Sequence, residues 1–233
     1  MPSPEELAED TLAYLARSPM FDPVPADGCV HVFGREILWV TRVRRVDVEA
    51  ARAAARARDV PRIEWWLGPS SPAGADEELG AAGLVPDEPP TLTGMSCREA
   101  PPAAPGVGVR PADTAEVARV EHAVWGAEAR PPHEEHAAIH HFAAEVDGRI
   151  AGVGRAVDME EGVALMGGAV LPELRGRGAY RALVRARWQY AVARGTPLLV
   201  VQAGPMSAPI LDGLGFVRHA TVRMYVEQRG AGV

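Results

Sequence analysis

A strand–helix–strand–helix–strand pattern occurs twice in this chain, and this repeat constrains the fold more than any other feature. The upstream copy consists of the runs "REILWV", "VDVEAARAAARARDV", "RIEWWLG", "ADEELGAAGLV" and "TLTGMSC". Asp47, where its first helix begins, precedes Gly83 by 83 − 47 = 36 residues, and Ala179 precedes Gly215 by 215 − 179 = 36 in the downstream copy. Alternating strands and helices predict an α/β architecture. The equal spacing indicates an internal duplication, with a chance match between two α/β segments of similar length as the alternative.

A segment rich in proline and alanine separates the two copies. The run "REAPPAAPG" from Arg98 to Gly106 has no apolar periodicity, which is typical of a linker between packed units. We therefore predict an N-terminal domain over residues 1–97, a linker over 98–106 and a second domain over 107–233. A chain of 233 residues that is 47 % hydrophobic has enough apolar side chains for cores of this size.

The second domain has a longer predicted element order than the first. A short strand at Val107–Val109 precedes the helix "DTAEVARVEHAVWG", for which Asp113 or Thr114 is the N-cap. The run "PHEEHAAIHHF", 132–142, predicts a second helix with Pro132 in its first turn. Turn signals at Asp147-Gly148 and at Glu160-Glu161-Gly162 then divide three runs rich in Val, Ile and Ala. These runs predict an antiparallel meander of three strands.

The run "LPELRGRGAYRALV" joins the third of those strands to the next helix. Apolar residues recur at helical spacing from Tyr180, and the helix is expected to end at Gly195. The strand "PLLVVQAG" follows, then a short helix that Ser207 caps, a left-handed turn at Gly215-Phe216 and the last strand "ATVRMYVEQ".

This junction has the composition of an anion-binding site. The first amides of a helix have no partner within the helix, and the helix start carries a partial positive charge. Gly176 and Gly178 allow a ligand to approach the backbone, and Arg175 and Arg177 add charged donors. Together these groups predict a phosphate or pyrophosphate site. The alternative is a solvated basic turn in which the glycines only bend the backbone.

Two other phosphate-binding motifs do not fit this run. A Walker A loop needs a Lys followed by Ser or Thr after the glycines, and the chain contains no lysine. A dinucleotide fingerprint needs a third glycine where Arg181 stands, and an acidic residue about twenty positions later, where "TPLLVV" offers none. A phosphate site at this junction would therefore belong to neither of these two classes, and the solvated basic turn stays the alternative.

The string "AVLPELRGRGAYRALV", with "PLLVVQAG" and "SAPILDGLGF" after it, resembles the GNAT acyltransferase superfamily, whose pyrophosphate loop has the pattern [QR]xxGx[GA]. The resemblance covers about 107–228. It implies a GNAT acyl-CoA N-acyltransferase fold of the α+β type, a mixed and mostly antiparallel sheet flanked by helices, preceded by a partial repeat. It implies acetyl-CoA as the acyl donor. The cofactor-binding residues that it implies are Ala169, Val170, Arg175, Gly176, Arg177, Gly178, Ala179, Tyr180 and Ser207. The upstream loop "TRVRRVD" has no glycine, so we expect one cofactor site only.

The chain departs from the family pattern in two places. Tyr180 stands at the sixth loop position, which is usually Gly or Ala, so we expect cofactor contact there through the backbone amide with the ring turned away. Leu211 stands where relatives often carry a tyrosine that protonates the leaving thiolate. Since a thiolate leaves without strong acid help, this loss is tolerable. Gly167-Gly168 is expected either to form a bulge that admits the pantetheine arm, or simply to weaken the strand.

The base that accepts the proton of the attacking amine is harder to place. The fourth strand of the predicted domain, "VALMGGAV", contains no carboxylate. Glu121 and His122, on the first helix beside the expected acceptor cleft, are the candidate catalytic residues; water is the alternative, and Glu121 also fits a solvated helix face. His133, His136, His140 and His141 cluster at helical spacing, and the string HEEH is not HExxH. No metal site is predicted, and these histidines are expected to line the acceptor cleft from a polar helix face.

Composition excludes several other function classes. No run approaches the ~20 apolar residues of a membrane span, and the N-terminus has no basic and apolar leader, so we expect a cytoplasmic protein. Cys29 and Cys97 form no CxxC pair, and a net charge of −7 disfavours nucleic acid. The leading prediction is an acetyl-CoA-dependent N-acetyltransferase whose acceptor is a small-molecule or peptide amine. The alternatives are a non-catalytic coenzyme A-binding or sensing module and an inactive structural protein. The sequence does not predict an oligomeric state.

Overall fold

The computed structural model describes residues 1–18, 20–126 and 136–228, and these residues form two compact units. The first unit contains Met1–Met95, Gln202–Ile210 and the segment from Arg218 onward, and the second contains Ser96–Val201 and Leu211–Val217. The first change of unit therefore lies next to the predicted linker at 98–106. Two C-terminal segments belong to the first unit instead of the predicted domain over 107–233, because the last strand pairs with a strand of the upstream half.

The helices and strands are numbered along the chain. The helices are α1 (Pro4–Glu9), α2 (Val48–Ala57), α3 (Ala75–Ala81), α4 (Thr114–Trp125), α5 (Ala179–Ala193) and α6 (Ala208–Asp212), with 3₁₀ turns at Thr11–Tyr14 and Pro172–Leu174. The strands are β1 (Asp22–Ala26), β2 (Cys29–Phe33), β3 (Ile37–Thr41), β4 (Arg62–Leu67), β5 (Val85–Cys97), β6 (Gly108–Pro111), β7 (Ile139–Val146), β8 (Arg149–Asp158), β9 (Val163–Val170), β10 (Leu199–Ala203) and β11 (Val217–Gln228).

The strands of the first unit lie in the order β1-β2-β3-β4-β11-β5. The pairs β1/β2, β2/β3 and β4/β11 are antiparallel, whereas β3 and β4 are parallel and are connected through α2. Residues of alternating strand positions and of the inner faces of α2 and α3 form the core, among them Leu38, Val40, Ala51, Ile63, Trp65 and Leu79. Asp76 at the start of α3 accepts hydrogen bonds from Arg223 and Tyr225, which ties β11 to this unit.

The strands of the second unit lie in the order β10-β9-β8-β7-β6, and α4 and α5 cover opposite faces of this sheet. Only β9 and β10 are parallel, with α5 between them in the chain. Because side chains alternate along a strand, Ala143 of β7 packs against α4 while Ala144 packs against α5. The observed fold is therefore of the predicted α+β class, with a mixed and mostly antiparallel sheet.

Most of the predicted elements downstream of the linker are confirmed. The meander β7-β8-β9 turns at Asp147-Gly148 and between Asp158 and Val163. Asp113 is the N-cap of α4, and its carboxylate accepts the amide hydrogen of Glu116 at 2.7 Å. Gly215 adopts φ +89°, as the predicted left-handed turn requires.

The predicted helix over 132–142 is wrong where the structure describes it. Residues 132–135 lie outside the described residues, and Ile139–Val146 is strand β7. The run "IHHFAAEV" places Phe142, Ala144 and Val146 on the α5 face, with the period of two that is typical of a strand. His140 and His141 therefore point to opposite faces of a sheet and do not form part of a helix face.

The internal repeat extends further than the sequence predicted. A meander β1-β2-β3 precedes α2, just as β7-β8-β9 precedes α5, and each meander continues into a parallel pair. The turns after α3 and α6 also match in detail. Gly83 and Gly215 have φ +87° and +89°, and the next residue's amide bonds back five residues, Leu84 to Leu79 and Phe216 to Leu211.

Candidate active site

The loop between β9 and α5 has the geometry expected of an anion site. After a 3₁₀ turn at Pro172–Leu174, Gly176 and Gly178 adopt φ +75° and +87°, and Gly178 is the N-cap of α5 with no side-chain cap. No backbone carbonyl among the described residues accepts a hydrogen from the amides of Arg177 or Gly178. The amides of Arg177 and Gly178, at the start of the helix, therefore remain available to an anionic ligand.

The two arginines of this loop, Arg175 and Arg177, are exposed, and the contacts of their side chains are weak. The Nε of Arg175 donates to the carbonyl of Val170 at 3.3 Å, which keeps its stem against the end of β9. Arg177 forms an ion pair of 2.7 Å with Asp147 of the β7–β8 turn. A single exposed ion pair of this kind contributes little to stability, so the guanidinium of Arg177 can exchange Asp147 for a ligand anion.

The corresponding loop of the first unit is closed by internal partners. Asp10 accepts the amide hydrogen of Arg42 at 2.7 Å, and the carbonyl of Gly28 accepts those of Arg44 and Arg45 at 2.7 and 3.2 Å. Asp10 is buried, and burial raises the pKa of its carboxyl to about 6, although the bond from Arg42 opposes that rise. In the upstream loop, a carboxylate and a carbonyl from other parts of the first unit thus accept the amide hydrogens that a ligand anion would otherwise accept.

The part of strand β9 that leads into the β9–α5 loop does not pair with β10. The register of β9 with β10 is Leu199↔Val163 and Val200↔Ala164, and β9 continues for six residues beyond the last pair, through Leu165–Val170. Ala169 and Val170 lie in this part of the strand. Their side chains pack toward α4 and α5 respectively, so what they offer a ligand is backbone.

A β-bulge interrupts the same strand at Gly167-Gly168. Val153 pairs with Ala169 and Arg155 with Met166, so the two glycines stand opposite the single residue Gly154. Gly167 has φ +56°, and a bulge leaves backbone groups out of the regular ladder. The predicted bulge is therefore present, in a part of β9 that does not pair with β10.

Tyr180 lies across this bulge. A Cβ added at Gly168 would stand 2.9 Å from Cε2 of the Tyr180 ring, so the ring packs directly on the strand. Where the ring lies relative to a bound cofactor stays a prediction. The absence of a side chain at Gly168 makes room for the large residue at the sixth loop position.

The candidate base Glu121 faces the other side of the bulge. Its Oε2 accepts a hydrogen bond from Nη2 of Arg155 at 2.6 Å, and its Oε1 lies 2.6 Å from Nη1, an ionic contact without hydrogen-bond alignment. Both side chains are about nine-tenths buried. The neighbouring candidate, His122, is exposed. The two residues therefore point in different directions from α4.

A second buried arginine approaches the bulge from α5. Arg187 is 1 % exposed; its Nε donates to the carbonyl of Leu183 and its Nη1 to that of Arg155, at 3.0 and 3.2 Å. Within the part of the chain that the structure describes, no carboxylate pairs with it. Burial lowers the pKa of Arg187 to about 10, so it remains a cation at neutral pH.

Neither arginine was predicted as part of the site. Arg155 occurs inside the apolar run "AGVGRAV" and Arg187 inside "ALVRARW". A charged residue within an apolar run is rarely buried unless polar groups contact it. This pattern is the sequence signal that could have identified both arginines.

The remaining predicted residues lie elsewhere. Ser207 belongs to the first unit, and its hydroxyl donates to the carbonyl of Gly204 at 3.2 Å. Leu211 is fully buried, as a core residue. His140 contacts Tyr190 at 2.6 Å near the end of α5, His136 accepts the amide hydrogen of Ala138, and His133 lies outside the described residues. No group of three or more potential metal ligands occurs within 1–18, 20–126 and 136–228.

Comparisons with known proteins agree with this geometry. The sequence model of the Acetyltransferase (GNAT) family matches residues 112–205, which contain the meander, the bulge and the β9–α5 loop. Residues 112–205 are a GNAT-family domain. No curated protein matches the sequence of the chain. Among the helices that the structure describes, none is sufficiently long and apolar to span a membrane.

Solved structures show the GNAT fold over the whole chain. A GCN5-related N-acetyltransferase from Kribbella flavida is 17 % identical, with a TM-score of 0.68 over 100 % of this chain and 97 % of that one. A functionally unknown conserved protein from Staphylococcus epidermidis is 10 % identical, with a TM-score of 0.64 over 91 % and 96 %. A tandem GNAT protein from the clavulanic acid biosynthesis pathway is 16 % identical, with a TM-score of 0.54 over 93 % and 86 %. These similarities support the interpretation of the upstream half as a partial GNAT repeat.

Proposed function

We propose that this protein is an acetyl-CoA-dependent N-acetyltransferase with a single cofactor site in its GNAT-family domain. The observation that carries the proposal is the β9–α5 loop, where Gly176 and Gly178 have positive φ and the amides of Arg177 and Gly178 bond to no backbone carbonyl of the described residues. Amides in this arrangement, with the helix dipole behind them, suit the diphosphate of coenzyme A. Arg175 and Arg177 supply charge-assisted contacts to it.

The part of β9 that does not pair with β10 extends the same site toward the bulge. The backbones of Ala169 and Val170 offer hydrogen bonds to a pantetheine arm, since this part of β9 is not paired with β10. Ala179 and Tyr180 add the first-turn amides of α5, and Ser207 stays a predicted cofactor contact. The cytoplasm stays the predicted location of the reaction.

The upstream repeat lacks the features of a cofactor site, so we assign one cofactor site to the chain and not two. Its corresponding loop has no glycine, and Asp10 and Gly28 already accept the hydrogens of its amides. A buried carboxylate at that position also repels a phosphate. The upstream unit therefore supports the fold, and the transfer is assigned to the GNAT domain.

The proposed reaction is direct attack of an amine on the thioester. The acceptor, a small-molecule or peptide amine, must lose a proton from an ammonium with a pKa of ~10 before its nitrogen forms the amide bond. The carbon–sulfur bond then breaks, and the thiolate takes a proton. His122 is exposed on α4 and stays a candidate base, with water as the alternative. Glu121, the other residue predicted for this role, would have to exchange its ion pair with Arg155 for the ammonium before it could accept the proton.

A non-catalytic coenzyme A-binding or sensing module is the second candidate function. The observation that favours it is Leu211, which is fully buried at the position where relatives often carry an acid. A binding module would keep the β9–α5 loop and lose turnover.

Two measurements separate these functions. Calorimetric titration with coenzyme A tests the site, and turnover of acetyl-CoA with a panel of primary amines tests the reaction. We expect both in the wild type, and we expect Arg175→Ala to weaken binding about tenfold, which corresponds to one charge-assisted contact. Arg45→Ala, an exposed arginine of the upstream loop, is the matched control and should leave binding unchanged.

The outcomes are distinct. Tight binding without turnover of any amine would favour the sensing module. Absence of binding and of thermal stabilisation by coenzyme A would refute both functions and leave a structural protein.

A further inference from the structure

The bulge in β9 is held from both faces of the sheet by buried guanidinium groups. On the α4 face, a Cβ added at Gly167 would overlap Nη1 of Arg155 and stand 3.1 Å from Oε1 of Glu121. The ion pair therefore packs directly under the bulged residue. A side chain at Gly167 would therefore require the Arg155 guanidinium to leave its place beside Glu121 or the strand to shift.

The α5 face carries the complementary contact. A Cβ added at Gly154, the residue opposite the bulge, would stand 3.0 Å from Nη1 of Arg187. The same nitrogen donates to the backbone carbonyl of Arg155. A continuous chain of polar contacts thus runs from α5 through Arg187, the backbone and side chain of Arg155, and Glu121 to α4.

Burying these charged groups costs free energy of folding. Their presence beside the bulge therefore indicates a role in the site. Two buried cations and one buried carboxylate leave a net positive charge at the bulge, and desolvating charges in a core is unfavourable. Apolar residues of similar volume would pack the same space at lower cost. The polar chain passes through the point where β9 leaves its regular ladder, along the part of the strand not paired with β10.

We propose that Glu121, Arg155 and Arg187 are positioning residues that fix the β-bulge at Gly167-Gly168, and that Glu121 does not act as the general base. Their task is to hold the backbone of β9 in the geometry that receives the acyl thioester. The buried positive charge also favours the negative charge that develops on the thioester oxygen during attack. This inference rests on the proposed function for its kinetic readout.

A charge-partner experiment distinguishes positioning from base catalysis. The variants are Glu121→Leu, Arg155→Met, the double variant with both changes, and Glu121→Gln, which keeps the shape of the side chain. The double variant removes both members of the Glu121–Arg155 ion pair together, so neither is left buried without the other, and it is expected to fold even where a single variant does not. Glu116→Gln is the matched control, because Glu116 also forms a two-point ion pair from α4, with the half-exposed Arg110.

We expect each single variant to lose about tenfold or more in kcat/KM for acetyl-CoA, with most of the loss in KM, and the double variant to recover most of it. Recovery is possible only for a positioning role, since a missing base is not restored when its partner is removed. Glu121→Gln should retain a measurable kcat with an unchanged pH profile. Arg187→Met should raise KM for acetyl-CoA in the same way, and Glu116→Gln should leave KM unchanged.

Three results would overturn the inference. If the double variant is as inactive as Glu121→Leu and Glu121→Gln abolishes the alkaline-rising limb of the pH profile, then Glu121 is the base. If the single variants lower only the melting temperature and leave KM and kcat unchanged, then the residues have a purely structural role. If hydrogen exchange at Gly167 and Gly168 is the same in all variants, then the ion pair does not fix the bulge. Failure of the proposed function itself would appear separately, as wild-type protein without turnover.

Discussion

The ring of Tyr180, in the first turn of α5, packs against Gly168 of β9, where an added Cβ would stand 2.9 Å from the ring atom Cε2. A large residue on the helix is thus matched by the absence of a side chain on the strand. This pairing explains how the loop accommodates a tyrosine at a position where the family usually has Gly or Ala. It also means that the two positions should change together.

We expect Gly168→Ala to weaken coenzyme A binding, because the new methyl group displaces the Tyr180 ring into the path of the ligand. Overpacking of this kind costs about 1–3 kcal/mol. The double variant Gly168→Ala/Tyr180→Ala should recover the affinity in calorimetric titration. Gly108→Ala is the control, since nothing lies within 4 Å of a Cβ added there. Equal affinity of Gly168→Ala and the wild type would show that the ring lies outside the ligand path.

The left-handed conformation of Gly178 should matter for binding beyond its effect on stability. Gly178 and Gly83 both have φ +87°, and a Cβ at either position meets no contact closer than 3.6 Å. Replacement of either glycine by alanine should therefore lower the free energy of unfolding by about 1–2 kcal/mol, because alanine is strained in this conformation. Only Gly178→Ala should also lose thermal stabilisation by coenzyme A, because its backbone forms the loop. A parallel loss of ligand stabilisation in Gly83→Ala would contradict the assignment of a single site.

The buried carboxylate of Asp10 should make stability depend on pH. Burial raises its pKa from 3.8 to about 6, so the unfolded chain releases this proton at lower pH than the folded chain. Stability therefore falls as pH rises through that window, by about 3 kcal/mol for a shift of this size, and stays lower above pH 6. Asp10→Asn keeps an acceptor for the amide of Arg42 and removes the charge.

Asp10→Asn should accordingly be more stable than the wild type at pH 7 and lose that advantage near pH 4. Denaturant unfolding at four pH values between 4 and 7 measures the difference directly. Asp59→Asn, which changes an exposed residue, is the control and should show no such trend. A difference between Asp10→Asn and wild type that does not vary with pH would mean that Asp10 ionises normally in the folded protein.

The helix cap, turn and bulge of the second unit could be predicted from the sequence, because each depends on a few neighbouring residues. The N-cap at Asp113, the turn at Asp147-Gly148 and the bulge at Gly167-Gly168 are confirmed in the structure. The glycines of the β9–α5 loop also have the positive φ values that their pattern predicts. The error over 132–142 arose where histidines at helical spacing coincided with a strand that alternates with period two.

Contacts between residues distant in the chain could not be predicted in this way. The partner of Glu121 is Arg155, 34 residues later, and the carboxylate that closes the upstream loop, Asp10, is 32 residues from Arg42. Such pairs depend on which strands become neighbours, and a single sequence does not encode that as a local pattern. The placement of β11 beside β4 in the first unit is the largest example, since the two strands are separated by most of the chain.

Asp147 forms an ion pair with Arg177 and therefore competes with the proposed ligand for this guanidinium. The pair is 2.7 Å long, and the two side chains are 45 % and 73 % exposed, so it contributes little to stability. Asp147 has φ +52°, which asparagine also tolerates, so Asp147→Asn should fold normally. The change releases Arg177 and removes a negative charge near the loop. Coenzyme A should then bind about two- to fivefold more tightly at low ionic strength, with the gain disappearing in high salt.

Asp27→Asn is the matched control for this prediction, because Asp27 forms a similar exposed pair of 2.8 Å with Arg45 in the upstream loop. Calorimetric titration with coenzyme A at two salt concentrations should show a gain in affinity for Asp147→Asn alone. An equal gain in both variants would point to the overall charge of the protein as its cause. No gain in either would mean that Arg177 keeps its partner in the bound state, and that Arg175 with the loop amides holds the diphosphate without it.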